Sequence, residues 1–434
     1  MENILAQTKN IAEEAEVFMA ILEETPVQFE ANRLKCVQSK QSSKMALRIV
    51  RHGKIGYAAT TEPDDHQSLI DMAVETAQFG MSAKFELPSP VSYPNVEVFD
   101  PDIESVTMEE MIGLGQELIT TIRGHTPDIT CEAGVARVTI SLRIINSHGG
   151  EANYRKSIFG LGIEGTLIHD TDMLFVGESE SSCHPLSKPE AVAEVVLWQL
   201  ELAKNRASVP NRLLPVIFTP RGVASALTPP LMAAFNGKTV LMGASPIGNK
   251  LGQQVFDNKL HLWDDPTLSY CPQSRPCDDE GVPSQRTPLV EGGTVANFLY
   301  DLQTAALAHT QSTGNGGRGH GGLPTPSPSA LVIAPGDSTF GEMVQDIKEG
   351  LVIEQLMGAE QGNILGGDFS GNVLLGYKVE NGKIVGRVKD TMVSGNVYQA
   401  LKQITAVGSE PKWVGGFLNT PPLYCPGLSV ASKG

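Results

Sequence analysis

Residues 17–22 form an unbroken apolar run and residues 27–30 alternate apolar with polar, and the two read as two separate strands. Residues 45–50 and 55–60 read as two further strands on either side of Arg51-His52-Gly53-Lys54, a tight hairpin signal. The period then changes. Leu69, Met72, Ala73 and Ala77 mark one face of a helix that Asp64 or Asp65 caps. Pro88, Pro90, Pro94 and Pro101 make residues 85–101 an extended connector. Thr107 and Glu110 have capping-box spacing and open a helix with Met111, Leu114, Leu118 and Ile122 inward. Residues 129–146 and 152–168 read as paired strands. Ser187 and Glu190 suggest a second capping box, before a helix that buries Val192, Val195, Val196, Leu200 and Ala203 and ends near Asn205. Residues 207–212 read as a linker.

Beyond that linker, short apolar runs (214–218, 331–333, 373–377, 384–388) sit among many glycines, the texture of a β-rich region with tight turns. One long helix is predicted over 295–309, followed by a Gly/Pro/Ser-rich loop over 310–327. The fold class is therefore α+β: an N-terminal α/β half followed by a C-terminal β-rich domain with helices. The expected domains are 1–100, 101–206 and 212–434.

Composition narrows the function. With 33 Lys+Arg against 49 Asp+Glu the formal charge is −16, and no basic run offers a surface for nucleic acid. No apolar stretch is long enough to span a bilayer, and the start lacks the basic and apolar segments of a signal peptide. Six thinly spread cysteines (Cys36, Cys131, Cys183, Cys271, Cys277, Cys425) do not make a disulfide framework. A cytoplasmic protein is expected.

Candidate chemistry is sparse. The glycines from Gly314 to Gly322 invite a phosphate-loop reading, but they follow a predicted helix, run into Pro324 and lack the Gly-Lys-Ser/Thr ending. No histidine pair has helical metal-ligand spacing; His169-Asp170, Asp65-His66 and Cys183-His184 are adjacent pairs, and Cys271/Cys277 lack a second pair. Cys425 reads as a core thiol, with a nucleophile or metal ligand as the alternative. Asp278-Asp279-Glu280-Gly281 reads as a solvated turn, with an oxygen-ligated cation site as the alternative. The residues by themselves mark no catalytic, cofactor or metal site.

Several stretches occur together and in order. Lys250-Leu251-Gly252-Gln253-Gln254 leads to Asp264-Asp265-Pro266, then Asp278-Asp279-Glu280-Gly281-Val282-Pro283 and Leu289-Val290-Glu291-Gly292-Gly293. Ser312-Thr313-Gly314-Asn315 precedes Arg318, Gly366-Gly367-Asp368-Phe369-Ser370-Gly371-Asn372 precedes Tyr377, and Ser394-Gly395-Asn396 follows. With Gly53-Lys54-Ile55-Gly56-Tyr57-Ala58 near the start, this set resembles the TldD/PmbA family, and more closely its PmbA (TldE) branch. The resemblance implies a two-subunit zinc metallopeptidase that degrades or matures small peptides. In it a TldD-type subunit carries a His-Glu-x-x-x-His helix and a distant cysteine, and a TldE-type subunit helps enclose the chamber that unfolded peptides enter. The matching segment here, residues 222–238, holds no His, Asp, Glu or Cys. Pro229-Pro230 bias Thr228 away from helix, with a helix from Leu231 as the alternative. The resemblance thus implies a non-catalytic subunit with no cofactor of its own, zinc residing in a TldD-type partner, and assembly with that partner or with a second copy. A self-sufficient homodimeric metal-dependent hydrolase, a regulator of the gyrase-modulator type and a non-proteolytic peptide-maturation factor are the alternatives.

Overall fold

The structure is a computed structural model that describes residues 1–319 and 322–433. Its first half is one antiparallel sheet. The strands are β1 (Glu14–Glu30), β2 (Arg33–Val37), β3 (Lys40–Arg51), β4 (Lys54–Thr60), β5 (Thr130–Asn146), β6 (Glu151–His169) and β7 (Asp172–Ser182). They lie in the order β4-β3-β1-β5-β6-β7, with β2 also on β1. Segments 1–100 and 101–206 thus share a sheet, joined where β1 pairs with β5 from Glu16↔Asn146 to Phe29↔Ala133.

The two runs expected as separate strands are one. Pro26 interrupted the sequence signal but not the strand. One neighbour, β3, ends at Lys40 opposite Glu24, and the other, β2, begins at Val37 opposite Val27. The proline's missing N–H therefore falls at the changeover between partners, where no ladder bond is lost. The hairpin at His52-Gly53 forms as read, with both residues at positive φ (51° and 67°).

Helices cover this sheet. After α1 (Glu2–Thr8) come α2 (His66–Ala77), capped by Asp65, and α3 (Met108–His125), opened by the Thr107/Glu110 box. Met72 is exposed, and Ile70 takes the buried place expected of it. The fourth helix, α4 (Glu190–Leu202), begins at Pro189 with no side-chain cap. The Ser187 box does not form, and the helix stops three residues short of Asn205. Val192, Val196 and Leu200 are buried as read, and Val195 is only partly so.

The second half holds two more sheets. A six-stranded one contains β9 (Leu262–Asp264), β10 (Thr287–Glu291), β11 (Thr294–Val295), β14 (Leu331–Ile333), β20 (Lys412–Val414) and β21 (Leu418–Thr420), in the order β11-β10-β9-β14-β21-β20. The other contains β8 (Arg212–Phe218), β15 (Glu349–Met357), β16 (Asp368–Glu380), β17 (Lys383–Arg387), β18 (Thr391–Asn396) and β22 (Leu423–Ser432), with β19 (Ala406–Val407) on β22. Its order β15-β8-β22-β18-β16 closes back through a β15–β16 pairing, which leaves no open edge among those five strands. Phe218 and Phe369 meet edge-to-face in the core between these sheets, and Cys425 is fully buried there, as the packing reading had it.

Short helices connect these sheets: α5 (Pro220–Ala226), α6 (Thr228–Phe235), α7 (Gly237–Leu241), α8 (Leu302–Leu307), α9 (Phe340–Asp346) and α10 (Val397–Lys402). The long helix expected over 295–309 is reduced to α8. Val295 belongs to a β-hairpin whose turn is Gly292-Gly293, both at positive φ, and Asp301 starts the helix by accepting from the Thr304 N–H. Pro229 and Pro230 occupy the first turn of α6, where no N–H is required, so the helix starts at Thr228 rather than Leu231. The glycine-rich loop contains a two-stranded ribbon of β12 (Gly316–Gly317) and β13 (Thr325–Pro326); His320 and Gly321 lie outside the described residues. The architecture is α+β.

Candidate functional site

The acidic stretch 278–280 is not a solvated turn. Asp278 and Glu280 are fully buried, at the junction between the first sheet and the second half. Asp278 accepts from the backbone N–H groups of Glu280 (2.9 Å), Val282 (2.9 Å) and Gly316 (2.8 Å). Asp279 accepts from the Arg318 N–H at 2.7 Å. Glu280 Oε1 lies 2.5 Å from Arg48 Nη1, and its Oε2 accepts from the Leu302 N–H at 2.7 Å. The same Arg48 reaches Glu16 at 2.9 Å, and Glu16 also takes the Arg318 guanidinium. The sequence kept the glycine cluster and the acidic cluster apart; the fold brings them together. Asp264, from the Asp-Asp-Pro stretch, joins nearby by accepting from Asn315 (2.6 Å) and the Ser329 N–H (2.7 Å).

Burial pushes the Asp278 and Glu280 carboxyls above their ordinary range, against the opposing pull of Arg275 and Arg48 respectively. Arg48 stays protonated because two carboxylates offset its desolvation. A cation site here would have to displace these donors, and each carboxylate oxygen already has one or more. The cluster is a structural junction.

The other singled-out residues are dispersed. His184 pairs with Asp100 at 2.6 Å and stacks on Tyr270, beside the buried Cys183. Asp65 caps α2, and Asp170 turns β6 into β7. Cys271 and Cys277 are buried, and burial pushes the Cys277 and Cys425 thiols up, which makes both poor thiolates. Among the described residues no group of three His, Cys, Asp or Glu side chains is placed to hold a metal. Nor is any helix long and apolar enough to cross a membrane.

What sequence reasoning missed is a cleft of about 700 Å³ beside α5, lined from α4, β7, β15, α5 and β20. Both β7 and β20 are terminal strands of their sheets, so each turns an unpaired edge outward. At Gly177 the β7 edge is closed by the Gln199 amide, which both accepts (2.9 Å) and donates (3.2 Å), and by the Arg221 guanidinium. Arg221 also donates to Gln355 at 3.2 Å, tying α5 to β15. Trp198 stands edge-on to Phe340 and Tyr377 at 6.2 and 6.1 Å, which firms the α4 wall, and Trp413 is 37% exposed on β20.

On the floor lies Glu354, 5% exposed. Thr219, the cap of α5, donates to its Oε2 at 3.2 Å, and among the described residues no basic group stands within 4 Å. Burial pushes its carboxyl up to about 7, against the Arg221 charge and the Thr219 hydrogen bond; the charge of Glu178 adds to the rise. Glu178, Glu180, Glu194 and Glu410 ring the same space. A second cavity of about 580 Å³ shares Glu178, Ser179 and Arg221 with the first and extends it across the sheet past Glu132 and Glu164. No single stretch signalled this site, because its walls come from stretches far apart in the chain.

Residues 211–432 match the family model described as the PmbA/TldA metallopeptidase C-terminal domain, and residues 15–78 match PmbA/TldA metallopeptidase domain 1. The chain is 27% identical over 401 residues to an uncharacterized protein of Methanocaldococcus jannaschii, covering 90% of each. It is 28% identical over 272 residues to a metalloprotease PmbA homolog of Haemophilus influenzae, covering 61% of this chain and 57% of that one. In fold it is similar to TldE from Thermococcus kodakarensis, with a TM-score of 0.89, 22% identity and the whole of both chains covered.

Proposed function

We propose a role for this chain from one premise: it belongs to the PmbA/TldD metallopeptidase family. The role is that of a TldE/PmbA-type subunit that does no catalysis itself. It assembles with a TldD-type partner that carries the zinc, and it supplies a wall of the chamber in which small or unfolded peptides are degraded or matured.

The observation that carries this reading is the segment made of α5 and α6. It covers most of residues 222–238, where the family resemblance puts the metal-binding helix, and that stretch offers no His, Asp, Glu or Cys. Catalytic zinc takes three protein ligands and an open water position. These residues do not fit that group, and no hydrolytic step is assigned to them. What the segment does provide is a mouth. Thr219, Pro220 and Arg221 open onto the cleft between two strand edges, the geometry that lets an extended chain bind through its own N–H and C=O groups. Main-chain pairing is indifferent to sequence, as a subunit handling varied peptides requires. The pocket walls then add side-chain preference.

The test is hydrolysis of an unfolded polypeptide by this chain alone, by a TldD-type partner from the same source alone, and by the two together. The reading expects cleavage from the pair, and none from this chain with added zinc. Zinc-dependent cleavage by this chain alone would overturn it in favour of the self-sufficient hydrolase.

A further inference from the structure

We propose that the acidic groove between β7 and β20 selects extended peptides that carry lysine or arginine, and seats one basic side chain against the Glu354 carboxylate. This rests on the reading of the chain as a peptide-binding subunit, and it adds the chemical class of peptide.

Three observations converge on it. The first is charge. The cleft is lined by five glutamates against one arginine and one lysine, and its extension adds Glu30, Glu132 and Glu164 against Lys35. Among the described residues none of the five has a basic partner within 4 Å. Elsewhere in the molecule buried carboxylates are either ion-paired, as Glu16 and Glu280 are by Arg48, or hold two or more hydrogen bonds, as Asp264 and Asp278 do. The second is Glu354 itself. Its carboxylate is 5% exposed and takes a single hydrogen bond, from Thr219 to Oε2, so its second oxygen is free to meet a group that enters the cleft. The third is shape. Trp198, Trp413 and Phe340 line the same cleft, and aromatic faces suit both the aliphatic stem and the charged head of a lysine or arginine. The chain's −16 charge also attracts basic peptides over longer range.

The preference is pH-dependent. Burial and the charge of Glu178 from β7 hold the Glu354 pKa up, while Arg221 from α5 and Lys412 from β20 hold it down. Thr219 donates to it, and Tyr377 lies within its field. With its carboxyl pushed up to about 7, Glu354 is neutral at pH 5.5 and charged at pH 8.5. Preference for a basic side chain therefore rises with pH through neutrality.

The test uses fluorescein-labelled octapeptides of alanine and serine with one central residue, lysine or its uncharged isostere norleucine. Binding to the purified full-length chain is read by anisotropy. At pH 8.5 the lysine peptide should bind about tenfold or more tighter, the scale of one charge-assisted hydrogen bond in a sheltered site. The gap should shrink at pH 5.5 and vanish in Glu354→Gln, which keeps the shape and the Thr219 contact. Glu410→Gln, at an exposed position, should narrow the gap a few-fold without risk to folding.

Equal affinity of the two peptides at pH 8.5 overturns the basic preference and leaves the peptide-binding reading standing. Failure of both peptides to bind, to the chain or to its complex with the TldD-type partner, overturns the two together. Zinc or calcium binding that Glu354→Gln abolishes, with no lysine preference, makes the groove a cation site and also overturns it.

Discussion

The junction around Glu280 and the cleft around Glu354 are both built from buried carboxylates, and they treat them in opposite ways. At the junction Glu16, Asp278, Asp279 and Glu280 meet Arg48, Arg318 and a row of backbone N–H groups. In the cleft Glu354 has one hydroxyl donor and, among the described residues, no ion pair. Taking a charge out of water costs several kcal/mol, and the fold offsets that cost only where partners are supplied. Satisfied carboxylates hold two parts of the molecule together. An unpaired one at an open mouth is free to meet a ligand, as proposed for Glu354.

The largest effect expected is at the junction. Arg48→Ala strands Glu280 in the interior while Glu16 keeps Arg318, and breaking a buried pair in this way costs about 3–5 kcal/mol. Urea denaturation of the full chain would read it. Adding Glu280→Gln to Arg48→Ala should recover part of that loss; if the double variant is worse than the single, the stranded charge is not the cause. Next comes Gly316→Ala. A β-carbon there would press on the pinned Glu280 carboxyl, and overpacking of this kind costs about 1–3 kcal/mol.

A pH series sharpens the same contrast. Asp278, Glu280 and Glu354 all have folded pKa values raised by burial, so between the ordinary carboxylate range and neutrality the folded state holds more protons than the unfolded. The stability they contribute is present below the unfolded pKa and is lost as pH rises through the folded one. The melting temperature should therefore fall from pH 5.5 to pH 8. A melting temperature that climbs over that interval would mean that the junction carboxylates are ionised throughout. The smallest effect belongs to the cleft. Glu354→Gln should leave stability at pH 8 unchanged or raise it by up to about 1 kcal/mol, since it removes an unpaired buried charge. A clear destabilisation would move Glu354 from the ligand side of the comparison to the structural side.

Local signals were legible where the chain satisfies itself locally. The Arg51–Lys54 hairpin, the Thr107/Glu110 box, the Asp65 cap and the β5/β6 pair all follow from residues a few positions apart. Illegible features depended on distant partners. Arg48 lies 232 positions from Glu280, so three adjacent acids looked like surface. Pro26 looked like a break because its place between two partner strands was invisible from the sequence. The predicted helix over 295–309 lost its first half to a hairpin that Gly292 and Gly293 bend and β9 pins through β10. For the candidate site, the cleft was not legible in the sequence. Trp198, Arg221, Glu354 and Trp413 share no motif and meet only where α4, α5 and strands of three sheets converge.

The central claim is that this chain serves a metallopeptidase without holding its metal. Zinc per chain, measured on the protein purified alone and again in complex with a TldD-type partner from the same source, tests it most directly. The account predicts none in the isolated chain and about one per pair, as a single catalytic site requires. Stoichiometric zinc in the isolated chain would contradict it.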